Sequence, residues 1–222
     1  MTMKRTSSPV RRSRSLLATL FVLLLSAWTA VAFADDGAQT FLEAQHQKVN
    51  ALLHQAASPA RDAQVGAMLD GMIDYGELAR RTFGLPCPAA VPSCTNHWGD
   101  LTDAQKAEIT GLLQKLVSKN YQKNLIKTLD YEIAYKGNQD AAGATRVRTE
   151  ATSKVNPRDP AIQIDYVIVG KAGAYKVVDI ITEGSSLTKN YYDQFHRMLT
   201  TPDQGYPYLV KKVSDKIAQL SS

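Results

Sequence analysis

Two aspartates in strand-like segments are the residues whose placement could support acid–base chemistry. Asp165 lies in IQIDYVIVG and Asp179 in YKVVDIITEG, so two strands would carry one carboxylate each. Two carboxylates inside a curled sheet could act as general acid and general base. We favour the alternative, in which they point outward or bond neighbouring backbone, lysine or arginine groups.

The histidines offer little for metal chemistry. His46 and His54 are eight residues apart on one predicted helix, too far for a shared metal without a third element, and His97 and His196 stand apart. The sequence contains no HExxH, no GxSxG and no glycine-rich phosphate loop. We therefore expect a binding protein with no catalytic residue, no metal and no cofactor.

The only cysteines lie in CPAAVPSC, as Cys87 and Cys94. A local pair in an exported chain predicts a structural disulfide, contributing about 2 to 3 kcal/mol through loop entropy. A metal or redox site is the alternative, but six residues separate the thiols and no second Cys/His pair accompanies them.

The first 34 residues are typical of a secretory leader. Five basic residues precede the apolar run LLATLFVLLLSAW, and Ala32-Phe33-Ala34 follows as a small-residue cleavage site. The run is short for a membrane span, which makes an uncleaved anchor the less favoured alternative. We expect residues 1–34 to be removed by a general or twin-arginine route, leaving a soluble periplasmic protein that begins at Asp35 and is not stably inserted in a membrane.

The leader also accounts for the basic net charge. The chain has 26 basic and 21 acidic residues. Five basic residues and no acidic residue fall within 1–34, so the mature chain carries 21 of each. A formally neutral mature protein gives no argument for a nucleic-acid partner.

The remainder, 35–222, is predicted to be one domain with a helical part at about 36–129 and a sheet-plus-helix part at about 130–222. Helical spacing covers 41–57, 61–83 and the run after Thr102, where Gln105 completes a capping-box pattern. Alternation predicts four strands at 131–136, 144–153, 161–170 and 174–183, and two helices follow at 187–199 and 206–220. The predicted class is α+β: N-terminal helices, a curled antiparallel sheet of about four strands forming a cone like those of cystatin or NTF2, and C-terminal helices.

The segment YKVVDIITEGSSLTKNYYDQFHRML carries a resemblance to a known family. It resembles the signature of the MlaC-type periplasmic phospholipid carriers, the toluene-tolerance family, in which a strand ends in a corner that leads into an N-Y-x-x-Q-F helix. Upstream, MIDYGELARRTFG and HWGDLTDAQKAEITGLLQKLVSKNY follow in the family's order. The resemblance covers about residues 40–220.

This resemblance implies a carrier that holds phospholipid acyl chains in an apolar cavity with the headgroup outside. Its partners would be an outer-membrane lipoprotein complex and an inner-membrane ABC transporter with a membrane-anchored lipid-binding ring. Gly184 would permit the corner, and Leu187, Tyr191 and Phe195 would close a lid over the sheet. The residues expected to contact lipid are Leu112, Leu116, Ile162, Ile164, Tyr166, Ile168, Val178, Ile180, Ser185, Leu187, Tyr191 and Phe195.

Two departures from the family pattern and two alternatives remain. The chain inserts LPCPAAVPSCTN before His97, and Ser185 stands where the family commonly has valine. One alternative is a carrier of hopanoids or other polycyclic lipids, as in the related HpnM branch. The other is a small enzyme on a cone-shaped fold that uses Asp165 or Asp179 as base. The sequence does not say which parity of the strands faces the cavity.

Overall fold

The computed structural model describes residues 36–88, 91, 93–141 and 143–221. These residues belong to one compact unit. The leader predicted at 1–34 and the mature start at Asp35 lie outside the described residues. Within those ranges, no helix is both long enough and apolar enough to cross a membrane.

The first half of the chain is helical. Its elements are α1 (Asp36–Leu53), α2 (Pro59–Met72), α3 (Tyr75–Thr82), α4 (Asp103–Leu125) and a 3₁₀ helix (Ile126–Asp130). Thr102 accepts a hydrogen bond from the Gln105 backbone N–H, and the Gln105 side chain accepts one from the Thr102 N–H. These reciprocal bonds confirm the predicted capping box and fix the start of α4.

The helix predicted at 61–83 is divided in two. Ile73 is extended and pairs with Val177 of the sheet, and the Asp74 N–H donates to the Val177 carbonyl at 3.0 Å. The Asp74 carboxylate then accepts from the Glu77 N–H at 2.9 Å and caps α3. Apolar spacing continues through this break, so the sequence pattern gave no sign that the sheet would supply a backbone partner there.

The second half forms an open antiparallel sheet and two helices, which confirms the α+β class. The strands are β1 (Tyr131–Asp140), β2 (Thr145–Ser153), β3 (Ile162–Val169), β4 (Lys176–Thr182) and β5 (Ser185–Ser186), followed by α5 (Leu187–Thr200) and α6 (Gly205–Ser221). Spatial order equals chain order, and each neighbouring pair is antiparallel. The two-residue β5 is a fifth strand beyond the four predicted.

The helices and one face of the sheet share the main hydrophobic core. Tyr166 and Ile168 of β3 belong to that face, whereas Val167 belongs to a small second cluster with Val178. Adjacent residues of a strand point to opposite faces, so this second cluster lies on the far side of the sheet. The register of β4 slips against Val167 and Ile168, which makes Val178 the extra residue of a bulge.

The disulfide between Cys87 and Cys94 is confirmed, with a Cα–Cα separation of 5.6 Å. The chain that leaves it is joined to α5, since the Thr95 N–H donates to the Tyr192 hydroxyl at 2.9 Å. Gly84 has a φ of +83°, and a Cβ there would come within 2.3 Å of the Thr95 carbonyl oxygen. The segment that follows the disulfide is therefore held against α5.

Candidate functional site

A cavity of about 580 Å³ lies between the helices and the core face of the sheet. We call it the sheet cavity. Strands β1, β3 and β4 form one wall, and α1, α2 and the end of α4 form the others. Its lining residues are Glu43, His46, Gln47, Val49, Asn50, Leu69, Met72, Ile73, Tyr121, Asn124, Leu125, Thr128, Tyr131, Ile133, Tyr135, Lys154, Ile164, Tyr166, Ile180 and Thr182.

The buried residues that line the sheet cavity differ in polarity from the exposed ones. Its buried members are all apolar: Val49, Leu69, Met72, Ile73 and Ile180. Its exposed members are all polar: Gln47, Asn50, Asn124, Thr128, Lys154 and Thr182. A cavity with a buried aliphatic part and a polar, solvent-facing rim suits a molecule that has an apolar body and a polar end.

One histidine stands inside this cavity. The Nδ1 atom of His46 and the Tyr135 hydroxyl share a hydrogen bond of 2.7 Å, and the His46 ring meets the Tyr166 ring edge-on at 5.3 Å between centroids. Burial lowers the pKa of His46 from 6.5 to about 4, against an opposing effect of Glu43. The imidazole is therefore neutral at ordinary pH.

Three tyrosines of the cavity are also held in the neutral form. Burial raises the pKa of Tyr166 to about 12 and raises the pKa values of Tyr121 and Tyr135 as well. The Tyr166 phenol adds to the rise at both neighbours. His46, Tyr121, Tyr135 and Tyr166 thus bring polar but uncharged groups to the lining of the sheet cavity.

A second cavity, of about 520 Å³, lies between helices α4, α5 and α6. We call it the helix cavity. Its lining residues are Leu116, Leu187, Asn190, Tyr191, Gln194, Phe195, Met198, Lys212, Val213 and Lys216. It shares no residue with the sheet cavity.

The corner between β4 and α5 is fixed by polar contacts. The Asp179 carboxylate accepts from the Thr188 N–H at 3.0 Å and from the Ser186 hydroxyl at 2.6 Å. Ser186 caps α5 by accepting from the Lys189 N–H at 3.0 Å. Gly184 has a φ of +76°, a conformation that favours glycine, so it permits the turn as expected.

The twelve residues expected to contact lipid fall into three groups. The sheet cavity contains Ile164, Tyr166 and Ile180. The helix cavity contains Leu116, Leu187, Tyr191 and Phe195. Neither cavity is lined by Leu112, Ile162, Ile168, Val178 or Ser185.

The structure explains why the five residues of the third group line neither cavity. Ile168 is 1% exposed within the main core, and the bulge in β4 turns Val178 to the far face of the sheet. Ser185 is exposed, and its hydroxyl accepts from the Asn190 side chain at 2.9 Å. Ile162 is half-buried at the start of β3, and Leu112 packs against the main core from α4.

The two candidate acid–base aspartates form hydrogen bonds with neighbouring groups of the fold. Arg146 Nε donates to the fully buried Asp165 carboxylate at 2.7 Å, and Asp179 caps the corner as described above. Neither residue lines either cavity. This matches the favoured interpretation, in which both carboxylates bond neighbouring groups.

The remaining histidines do not assemble a metal site within the part of the chain that the structure describes. His97 Nε2 and His196 Nδ1 share a hydrogen bond of 2.8 Å that links the segment after the disulfide to α5. His54 bonds the carbonyl of Asn50 in its own helix.

None of the residues by which α1, α2 and α4 line the sheet cavity was among the twelve expected to contact lipid. His46 and Tyr135 are 89 residues apart, and no local pattern connects them. Tyr121 did carry a signal, because it continues the apolar stripe of α4 beyond Leu113 and Val117, both of which are buried.

Comparison with known proteins agrees with the signature in the sequence. The model of the MlaC protein family matches residues 43–215. Among solved structures, the phospholipid-binding protein from Ralstonia solanacearum in complex with a phospholipid has a similar fold, with a TM-score of 0.65 and 20% sequence identity over 86% of this chain and 100% of that one. The curated proteins contain no significant match to this sequence. Because the family match spans well over half of its residues, the chain belongs to the MlaC protein family.

Proposed function

We propose that this chain is a periplasmic lipid carrier that holds phospholipid acyl chains in the sheet cavity. The observation that carries the proposal is the combination, in an MlaC family member, of a buried aliphatic cavity part with a polar rim. The phospholipid bound to the similarly folded Ralstonia protein supports the same ligand class.

The energetics explain why such a carrier is needed. A diacyl lipid has on the order of 30 methylenes, and at roughly 0.8 kcal/mol each their exposure to water would cost about 25 kcal/mol. Unassisted passage through an aqueous compartment is therefore negligible. A cavity that offers aliphatic contact in place of the bilayer keeps this cost small at both ends of the transfer.

The rim suits a headgroup that stays outside. Lys154 lines the cavity and is exposed, so its ammonium group is available to pair with a lipid phosphate that remains at the mouth of the cavity. The amides of Gln47, Asn50 and Asn124 add neutral donors and acceptors at the same rim.

We further propose that the carrier exchanges lipid with an outer-membrane lipoprotein complex and an inner-membrane ABC transporter bearing a lipid-binding ring. The family membership supports this role. Adding the lipid-loaded protein to vesicles that contain the transporter should move labelled lipid into them, whereas vesicles without it should stay unlabelled. Equal transfer to both would contradict the partnership.

The ligand can be identified by extracting the protein purified from its native compartment and analysing the extract by mass spectrometry. Phospholipid in about equimolar amount is the expected result. Hopanoid or another polycyclic lipid would establish the alternative cargo. An extract without lipid would contradict the proposal and favour the alternative of a small enzyme.

Export is tested by N-terminal sequencing of the protein recovered from the periplasm. A first residue of Asp35 is expected, because the small-residue site ends at Ala34. Recovery of a chain beginning at Met1 or within 16–28 would contradict the predicted leader.

A further inference from the structure

Four polar aromatic side chains meet inside the sheet cavity. They are His46 on α1, Tyr121 on α4, Tyr135 on β1 and Tyr166 on β3, and we call them the tyrosine–histidine cluster. The 2.7 Å bond between His46 and Tyr135 and the 5.3 Å ring contact between His46 and Tyr166 connect three of them. The fourth, Tyr121, lines the same cavity from α4.

Several polar atoms of this cluster lack a protein partner. Among the residues described by the structure, no hydrogen bond reaches the Tyr121 hydroxyl, the Tyr166 hydroxyl or the Nε2 atom of His46, yet all three side chains line the cavity. Tyrosine hydroxyls in proteins normally find a partner when they are buried. A ligand made only of hydrocarbon would cover these groups and leave them unsatisfied.

The cluster is suited to neutral oxygen acceptors. The phenols of Tyr121 and Tyr166 keep their protons, because burial raises their pKa values. Each of these two hydroxyls can therefore donate one hydrogen bond. The imidazole is uncharged, so the cluster has no cation that would attract a carboxylate or phosphate in preference to a carbonyl. In a glycerolipid, the neutral acceptors attached directly to the acyl chains are the ester carbonyls.

We propose that the tyrosine–histidine cluster binds the ester carbonyl oxygens of the lipid and thereby selects acyl-ester over alkyl-ether lipids. This inference rests on the proposed lipid-carrying function and adds the part of the ligand that is recognised. The aliphatic part of the cavity takes the chains, and the phenols of Tyr121 and Tyr166 fix the depth at which their ester ends stop.

The test compares two lipids that differ only in these oxygens. Diester phosphatidylglycerol and its dialkyl-ether analogue with equal chains are competed against a fluorescent lipid on the delipidated protein. The unaltered protein should bind the diester more tightly. Tyr166→Phe should weaken diester binding by roughly two- to tenfold, the effect of one hydrogen bond, and leave diether binding unchanged.

Three further variants make the result specific. Tyr121→Phe combined with Tyr166→Phe should bring the two affinities close together, and His46→Phe should act in the same direction from a different element. Tyr191→Phe removes the same atom from the helix cavity and should leave the diester preference as it was. A thermal melt of each variant verifies folding.

Two results would overturn the inference while leaving the proposed function intact. They are equal diester and diether affinities in the unaltered protein, and an unchanged preference in the folded Tyr121→Phe, Tyr166→Phe double variant. Binding of neither lipid by the unaltered protein would overturn the proposed function, and this inference with it.

Discussion

The sheet cavity and the helix cavity have similar volumes, about 580 and 520 Å³, but different walls. Among the polar residues that line the sheet cavity are phenols and an imidazole that burial holds uncharged, and Glu43 and Lys154 line it as well. The helix cavity has no histidine and includes two exposed lysines, Lys212 and Lys216. The Lys212 ammonium lies 5.3 Å from the centre of the Tyr208 ring, which belongs to the same helix, α6. Volume alone would not tell these cavities apart as lipid sites.

The two cavities differ in the residues that an acyl chain would contact. In the sheet cavity a chain would contact buried aliphatic side chains from both layers of the fold, among them Leu69 and Met72 of α2 and Ile180 of β4. The helix cavity is bounded by helices alone and has three buried apolar residues, Leu116, Phe195 and Val213, against five in the sheet cavity, so it offers a chain fewer buried contacts. We infer that the sheet cavity carries the lipid and that the helix cavity belongs to the packing of α4, α5 and α6.

The largest effect is expected from a charge placed in the sheet cavity. Ile164→Asp should abolish co-purifying lipid, since an ionised carboxylate covered by hydrocarbon costs several kcal/mol, or more than about a hundredfold in affinity. Water in the empty cavity can solvate the new charge, so the thermal melt should stay cooperative. Lipid content is measured by mass spectrometry.

Leu187→Asp is the matched control in the helix cavity. Leu187 begins α5, where a negative charge is favoured by the helix dipole, so the variant should fold and keep its lipid. Loss of lipid from Leu187→Asp, with retention in Ile164→Asp, would reverse the assignment of the two cavities.

A smaller effect is expected from pH. His46 has a lowered pKa of about 4 in the folded protein and 6.5 without burial, so the unfolded chain binds the proton more readily. Stability should therefore be complete above about pH 6.5 and fall by up to about 3 kcal/mol as the pH drops toward 4. Denaturant titrations of the unaltered protein and His46→Phe should differ in this window, and parallel curves would contradict the burial of the ring.

The disulfide loop should affect stability and spare the lipid. Replacing Cys87 and Cys94 by serine should lower the free energy of unfolding by about 2 to 3 kcal/mol, because the loop is no longer closed in the unfolded chain. Thr95, next to the disulfide, bonds α5, and none of the described residues between 85 and 96 lines the sheet cavity, so bound lipid should remain. A folded double variant without lipid would show that the insertion contributes to the site.

The smallest effect is expected from Tyr192→Phe. This change removes the hydroxyl that accepts from the Thr95 N–H and should cost about 1 kcal/mol in a denaturant titration. Lipid content should not change. A change in lipid content of the folded variant would show that the α5 region and the sheet cavity are coupled.

The sequence predicted the elements well where local physics decides them. The capping pattern at Thr102 and Gln105 marked the start of α4, and alternation marked β1 to β4. The break at Ile73 was missed because its cause is a backbone pairing with Val177, more than 100 residues away. The spacing of hydrophobic residues along a helix contains no information about a distant backbone partner of this kind.

The site was predicted only in part for a similar reason. Alternation along β3 placed Ile164 and Tyr166 on one face, and both line the sheet cavity. Alternation along β4 does not give the face of Val178, because a bulge resets the parity there and a bulge has no fixed sequence signal. The position of Leu187 depends on how α5 crosses α4 and α6, which only the packed fold determines.

The most direct test of the central claim is to map where an acyl chain lies. A phospholipid with a diazirine in one acyl chain is loaded into the protein, activated by light, and the modified peptides are identified by mass spectrometry. We predict adducts on sheet-cavity residues such as Leu69, Met72, Ile164 and Ile180. Adducts confined to Leu187, Phe195, Met198 and Val213 of the helix cavity would contradict the account.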